Sequence, residues 1–283
     1  MDLPLFEPAL AQTLRSEATE MVGAYTDTLL SVIPKGLVTG MYAKGSVYKP
    51  WDSLIDYVPD LSDVDIHVRF RSAEDARRHL GVLSQALEIA ERALELFRSR
   101  VAAPTHLPRP QLVVLNHLED QPGYLPSPKG LAQTLYGPAY HAAERADYAD
   151  TRTADARQFA ANLEYVRDEL PEKIVDRPGA HAWRSIANLV WRVGPTGARV
   201  LTNLGMHPYD AWSLNRTNVV RELEARGRGG IAEAYAQFYL AGWRGYRSGF
   251  QDGDAARDAL HAVDRLFSSS ASVIASSDES LGA

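Results

Sequence analysis

The stretch Asp63-Val-Asp-Ile-His-Val-Arg-Phe70 alternates strictly, with Val64, Ile66 and Val68 at even positions and Asp63, Asp65 and His67 at odd ones. Successive side chains of a strand point to opposite faces, so the pattern predicts a strand over 63–70 that buries one face. The other face then carries two carboxylates and an imidazole. Like charges set side by side repel, and such an arrangement calls for a reason.

The surrounding signals mix helix and strand. Periodicity predicts a helix at about 7–32, a strand near 36–42, a helix at about 73–101 and a strand in QLVVLN at 111–116. After the Pro- and Gly-rich LEDQPGYLPSPKG almost every segment reads as helix, punctuated by Pro171, Pro178, Pro195 and Pro208. A chain of 283 residues, 45% hydrophobic, has room for two such domains. The expectation is an α/β domain over 1–136, an all-α helical bundle over 137–270 and a flexible tail over 271–283, where the sequence is rich in serine.

The net charge of −6 argues against a broad basic surface for nucleic acid. With no cysteine, disulfides and Cys-ligated zinc are excluded. MDLPLFEPAL lacks a basic segment followed by an apolar core, and no run of about 18 apolar residues occurs. A soluble, cytoplasmic protein without membrane attachment is expected.

Upstream of the Asp-x-Asp strand lies Lys44-Gly45-Ser46, with Gly40 five residues before Gly45. A P-loop needs Gly-Lys-Ser/Thr in that order, so that reading fails. A strand, then Gly-Ser opening a short helix, then a loop and Asp-x-Asp on a neighbouring strand is a different constellation. TGMYAKGS followed by LSDVDIHV resembles the signature of the polymerase-beta-like nucleotidyltransferases, in particular the small-molecule branch that includes the kanamycin and lincosamide nucleotidyltransferases. The likeness in domain arrangement covers most of the chain, and its diagnostic residues occupy 40–69.

The resemblance implies a nucleotidyltransferase fold, a mixed sheet flanked by helices. It also implies transfer of a nucleoside monophosphate from a nucleoside triphosphate, with ATP the expected donor, to a small-molecule hydroxyl, releasing pyrophosphate. Asp63 and Asp65, two apart on a strand, jointly bind Mg²⁺ in this reading and are the catalytic pair. Gly45 and Ser46 hold the terminal phosphates at a helix N-terminus.

Two features depart from the family pattern. Sixteen residues, 47–62, separate Ser46 from Asp63. They are expected to form a lip over the site, in which Trp51 and Tyr57 either anchor the loop in the core or stack on a base. The third carboxylate that family members usually carry on the next strand is replaced by an amide, Gln111 or Asn116, which neither takes a proton nor neutralises Mg²⁺. Glu119, Asp120, Glu164 and Glu169 are candidate stand-ins. His67 shares the face of the carboxylates, which should favour its charged form and leave it a supporting role.

In HAWRSIANLVWRV, the residues His181, Arg184, Asn188 and Arg192 form one polar stripe that Arg199 extends. The stripe either faces water or meets phosphates in a cleft. The missing carboxylate also supports an alternative function, a catalytically impaired nucleotide-binding protein acting as regulator or partner.

Overall fold

The computed structural model describes residues 1–119, 132–140 and 148–281, and the side chains of 151–275 in the last segment. The chain divides into two compact units. The sheet unit comprises Glu7–Pro50 and the described residues from Ser62 to Tyr140; the helical unit takes Met1–Phe6, Trp51–Leu61 and the described residues from Tyr148 on. Their division differs from a single cut near 136, because two N-terminal segments belong with the C-terminal helices.

The sheet unit is mixed α/β. Its elements are α1 (Pro8–Val32), β1 (Val38–Lys44), β2 (Asp63–Phe70), α2 (Ala73–Leu80), α3 (Leu83–Arg100), β3 (Arg109–Val114), α4 (Leu115–Glu119) and β4 (Gln133–Tyr136). The strands form one mixed sheet in the order β3-β2-β1-β4, with β1 antiparallel to β2 and β4 and β2 parallel to β3. Helix α1 starts at Pro8, whose fixed φ suits the first helical position, and the Glu7 carboxylate accepts from the amides of Ala9 and Leu10. Its buried Leu14, Ala18, Met21, Val22 and Leu29 recur at helical spacing, and Met21 and Ala24 meet Phe97 of α3. Each fully buried large side chain of this kind contributes about 1.5–3 kcal/mol.

The helix expected over 73–101 is broken at Gly81, which ends α2 with its amide donating to the Arg77 carbonyl. A β-carbon at Gly81 would overlap that carbonyl oxygen, so the tight turn requires glycine. Strand β3 starts two residues earlier than the sequence suggests. It lies at the sheet edge, where Pro110, lacking an N–H, costs no ladder bond on the open side.

The helical unit holds α5 (Tyr148–Glu164), α6 (Leu170–Ile174), α7 (Trp183–Ala187), α8 (Val190–Asn203), α9 (Pro208–Ser213), α10 (Arg216–Ala225), α11 (Gly229–Arg247) and α12 (Gly253–Leu281), with a π-helical turn at Tyr165–Glu169. The tail expected from 271 is part of α12, which is helical to Leu281. Val273 and Ile274 are buried and continue the stripe of Leu266, Phe267 and Ser270, and that burial outweighs the weak helix propensity of the serines.

Residues 51–61 are locked into the same unit. The Asp56 carboxylate accepts from the amides of Asp52, Ser53 and Thr217, at 2.8, 3.0 and 2.9 Å, and from the Thr217 hydroxyl at 2.6 Å. Trp51 stacks between Phe6 and Tyr57, with ring centroids 5.3 and 4.5 Å apart. Tyr57 is fully buried. Of the two roles open to Trp51 and Tyr57, anchoring is the one their packing serves. No helix among the described residues is long and apolar enough to cross a membrane.

Candidate functional site

Cross-strand register builds the polar face of the sheet. Residues directly opposite one another share a face. Lys44 on β1 lies opposite Asp65, Tyr42 opposite His67, and on β3 Arg109 and Gln111 lie opposite Asp63 and Asp65. Val64, Ile66, Val68 and Phe70 are buried on the other side. The alternation of β2 therefore divides as the sequence predicts.

The four residues singled out in the sequence come together around one turn. β1 ends at Lys44, and Gly45 follows with φ 88° and ψ −164°, a conformation essentially reserved for glycine. The turn sets Gly45 against the β2 carboxylate: a β-carbon there would overlap Oδ2 of Asp65 and lie 3.3 Å from its Cγ. Ser46 opens a three-residue 3₁₀ turn, Ser46–Tyr48, in place of the expected short helix. Three residues do not build a macrodipole, so the anion attraction expected from a helix N-terminus is absent. The turn is braced by Arg15 of α1, which donates to the carbonyls of Val47 at 2.8 Å and Lys49 at 2.9 Å.

The electrostatics also differ from expectation. Asp63 is paired with Arg109, Nη2 to Oδ1 at 2.9 Å, with the carboxylate 13% and the guanidinium side chain 43% exposed. Burial lowers the pKa of Lys44, and the Asp65 charge opposes that fall. His67 is buried and its pKa is lowered to about 3, first by burial and then by the Lys44 charge. The expected charged imidazole is thus a neutral one, because burial and the Lys44 charge both disfavour the cation.

The strands expected at 36–42 and 111–116 stop two residues short of Lys44 and of Arg109 at the ends nearest the site, so neither side chain enters the polar face that the sequence predicts. Period-2 alternation carried from Tyr42 to Lys44, and back from Gln111 to Arg109, is the signal that finds them.

Asn116 is occupied by β2, its side chain accepting from the Phe70 amide at 2.8 Å and donating to the Phe70 carbonyl at 3.0 Å. Glu119 pairs with Arg69, four residues along β2 from Asp65. Asp120 is outside the described residues. In the helical unit Glu164 is exposed and Glu169 pairs with Lys173 at 2.7 Å.

The stripe of the helical unit is interrupted. His181, Arg184 and Asn188 are exposed, and the Arg192 guanidinium lies 3.5 Å over the Tyr165 ring. Arg199 turns inward toward Asp155, which accepts from Thr202 at 3.0 Å and Trp212 at 3.1 Å. The stripe therefore does not continue to Arg199.

Asp63 and Asp65 offer hard oxygen donors from one strand face. Among the described residues no cluster of three or more His, Cys, Asp or Glu side chains is placed to hold a metal ion. The donor set suits an ion such as Mg²⁺ that takes its remaining oxygens from phosphates and water, and does not suit one needing a closed protein cage. No protein-family model, curated protein or solved structure matches the chain.

Proposed function

We propose that the protein is a Mg²⁺-dependent nucleotidyltransferase, in which a nucleotidyltransferase-type sheet domain works with an all-α domain that binds the acceptor. The observation that carries this reading is the contact between the Gly45 turn and the Asp65 carboxylate, which makes Gly-Ser and Asp-x-Asp parts of one site. Asp63 and Asp65 would hold Mg²⁺, which when bound neutralises phosphate charge. The Gly45 and Ser46 amides and the Ser46 hydroxyl would hold the terminal phosphates of ATP or a related triphosphate, with glycine letting the phosphate approach the backbone.

In the reaction, a hydroxyl oxygen of a small-molecule acceptor forms a bond to the α-phosphorus. The bond from that phosphorus to the bridging oxygen breaks, pyrophosphate leaves, and the hydroxyl proton passes to solvent water. His67, neutral and buried, supports the strand without adding charge. Gln111, opposite Asp65 on the next strand, is an amide that takes no proton at neutral pH and so does not serve as the general base.

That amide is the observation favouring a second reading, a catalytically impaired nucleotide-binding protein that regulates or partners another. A product assay by mass spectrometry, with Mg²⁺, each nucleoside triphosphate and a metabolite extract, separates the two. Transfer that is lost in Asp63→Asn and Asp65→Asn supports the enzyme. Binding of Mg²⁺-ATP without transfer, with Gln111→Asp also inactive, supports the binder. Calorimetry showing Mg²⁺-ATP affinity unchanged in both aspartate variants overturns the site for either reading.

A further inference from the structure

The sheet supplies its own cation to the Asp-x-Asp pair. Arg109 is the first residue of edge strand β3, in register with Asp63 and bonded to it at 2.9 Å. A guanidinium at that distance and a divalent ion compete for the same carboxylate lone pairs. Arg109 is nearly half exposed while Asp63 is mostly covered, so of the two the guanidinium is the partner with water to turn into. Its planar fork is also suited to phosphate oxygens. Lys44, opposite Asp65, is less exposed than Arg109 and follows directly in chain with the Gly45 turn, so it is the fixed charge and Arg109 the movable one.

Building on the nucleotidyltransferase reading of this site, we propose that Arg109 is a displaceable counter-cation: it holds Asp63 until a metal–triphosphate complex arrives, then turns to the incoming phosphates. The metal alone would bind weakly, and metal and nucleotide would enter as a unit. This is a coupling between two ligands, and it acts equally on both.

The test is Mn²⁺ binding followed by electron paramagnetic resonance, with and without an α,β-methylene triphosphate analogue that cannot be turned over. Arg109→Gln should bind Mn²⁺ alone on the order of tenfold more tightly, and the Mn²⁺–analogue complex more weakly by a similar factor. Arg109→Lys keeps the charge without the fork. It should leave Mn²⁺ affinity near that of the unaltered chain and lose part of the analogue affinity. If Arg109→Gln leaves Mn²⁺ affinity unchanged or lower while the unaltered chain binds the complex, the role of Arg109 is overturned and the site stands. If the unaltered chain fails to bind the Mn²⁺–analogue complex at all, the nucleotidyltransferase reading falls and this inference falls with it.

Discussion

Replacing Gly45 by alanine probes the contact on which the functional reading rests. The backbone at φ 88° and ψ −164° is strained for any residue with a β-carbon, at ~1–3 kcal/mol. The added methyl also overlaps the Asp65 carboxylate, and forcing a packed side chain aside costs ~1–3 kcal/mol more. The expected loss of stability is therefore about 2–6 kcal/mol, together with loss of Mg²⁺-ATP affinity as Asp65 is pushed from its position. The two contributions separate in a double-mutant cycle, because Asp65→Ala removes the obstacle but leaves the backbone strain. A coupling of about 1–3 kcal/mol between the two substitutions is expected. All 5 tryptophans lie in the helical unit, so their fluorescence does not follow the sheet; hydrogen exchange of the β1 and β2 amides in rising denaturant does. A coupling below about 0.5 kcal/mol, the level at which independent sites add, refutes the argument that Gly45 and Asp65 share one space.

Three further outcomes are expected. Ser46→Ala should weaken triphosphate binding by about 1.5–3 kcal/mol and monophosphate binding far less, as for a hydrogen bond to a charged group; equal losses in calorimetry would show that Ser46 does not read the terminal phosphates. His67 has a folded pKa of about 3 against an ordinary 6.5, so its contribution is full above about pH 6.5 and is lost as pH falls toward 3, where the unfolded chain takes up a proton that the folded chain refuses. A stability profile over that window should be flatter in His67→Asn, and an identical slope would be contrary evidence. Asp56→Ala leaves the Asp52, Ser53 and Thr217 donors unmatched and, at about 1–3 kcal/mol for each of the two buried ones, should cost about 2–6 kcal/mol in denaturant unfolding followed by tryptophan fluorescence, whereas a loss under about 1 kcal/mol would mean that the 51–61 segment is held by its aromatic packing alone.

The sequence by itself determined what local periodicity and backbone chemistry can determine. Strand β2 and its two faces follow from the alternation of Asp63, Asp65 and His67 with Val64, Ile66 and Val68, and α1 follows from its apolar spacing and Pro8. Gly45 is marked in the sequence by the Gly-Ser pair that precedes the Asp-x-Asp strand. Tertiary structure decided what depends on partners distant along the chain. Four-residue β4 is too short to carry a periodic signal, and it exists through its pairing with β1. Trp51 and Tyr57 join the helical unit because Phe6, itself edge-on to Trp243, stacks on Trp51, Trp51 stacks on Tyr57, and Thr217 satisfies Asp56. Register, a property of paired strands and not of either one, set Lys44 opposite Asp65 and Arg109 opposite Asp63. The charge state of His67 was decided there as well: the sequence names the nearby carboxylates, but only folding buries the ring and sets the Lys44 charge near it, and both disfavour its cation.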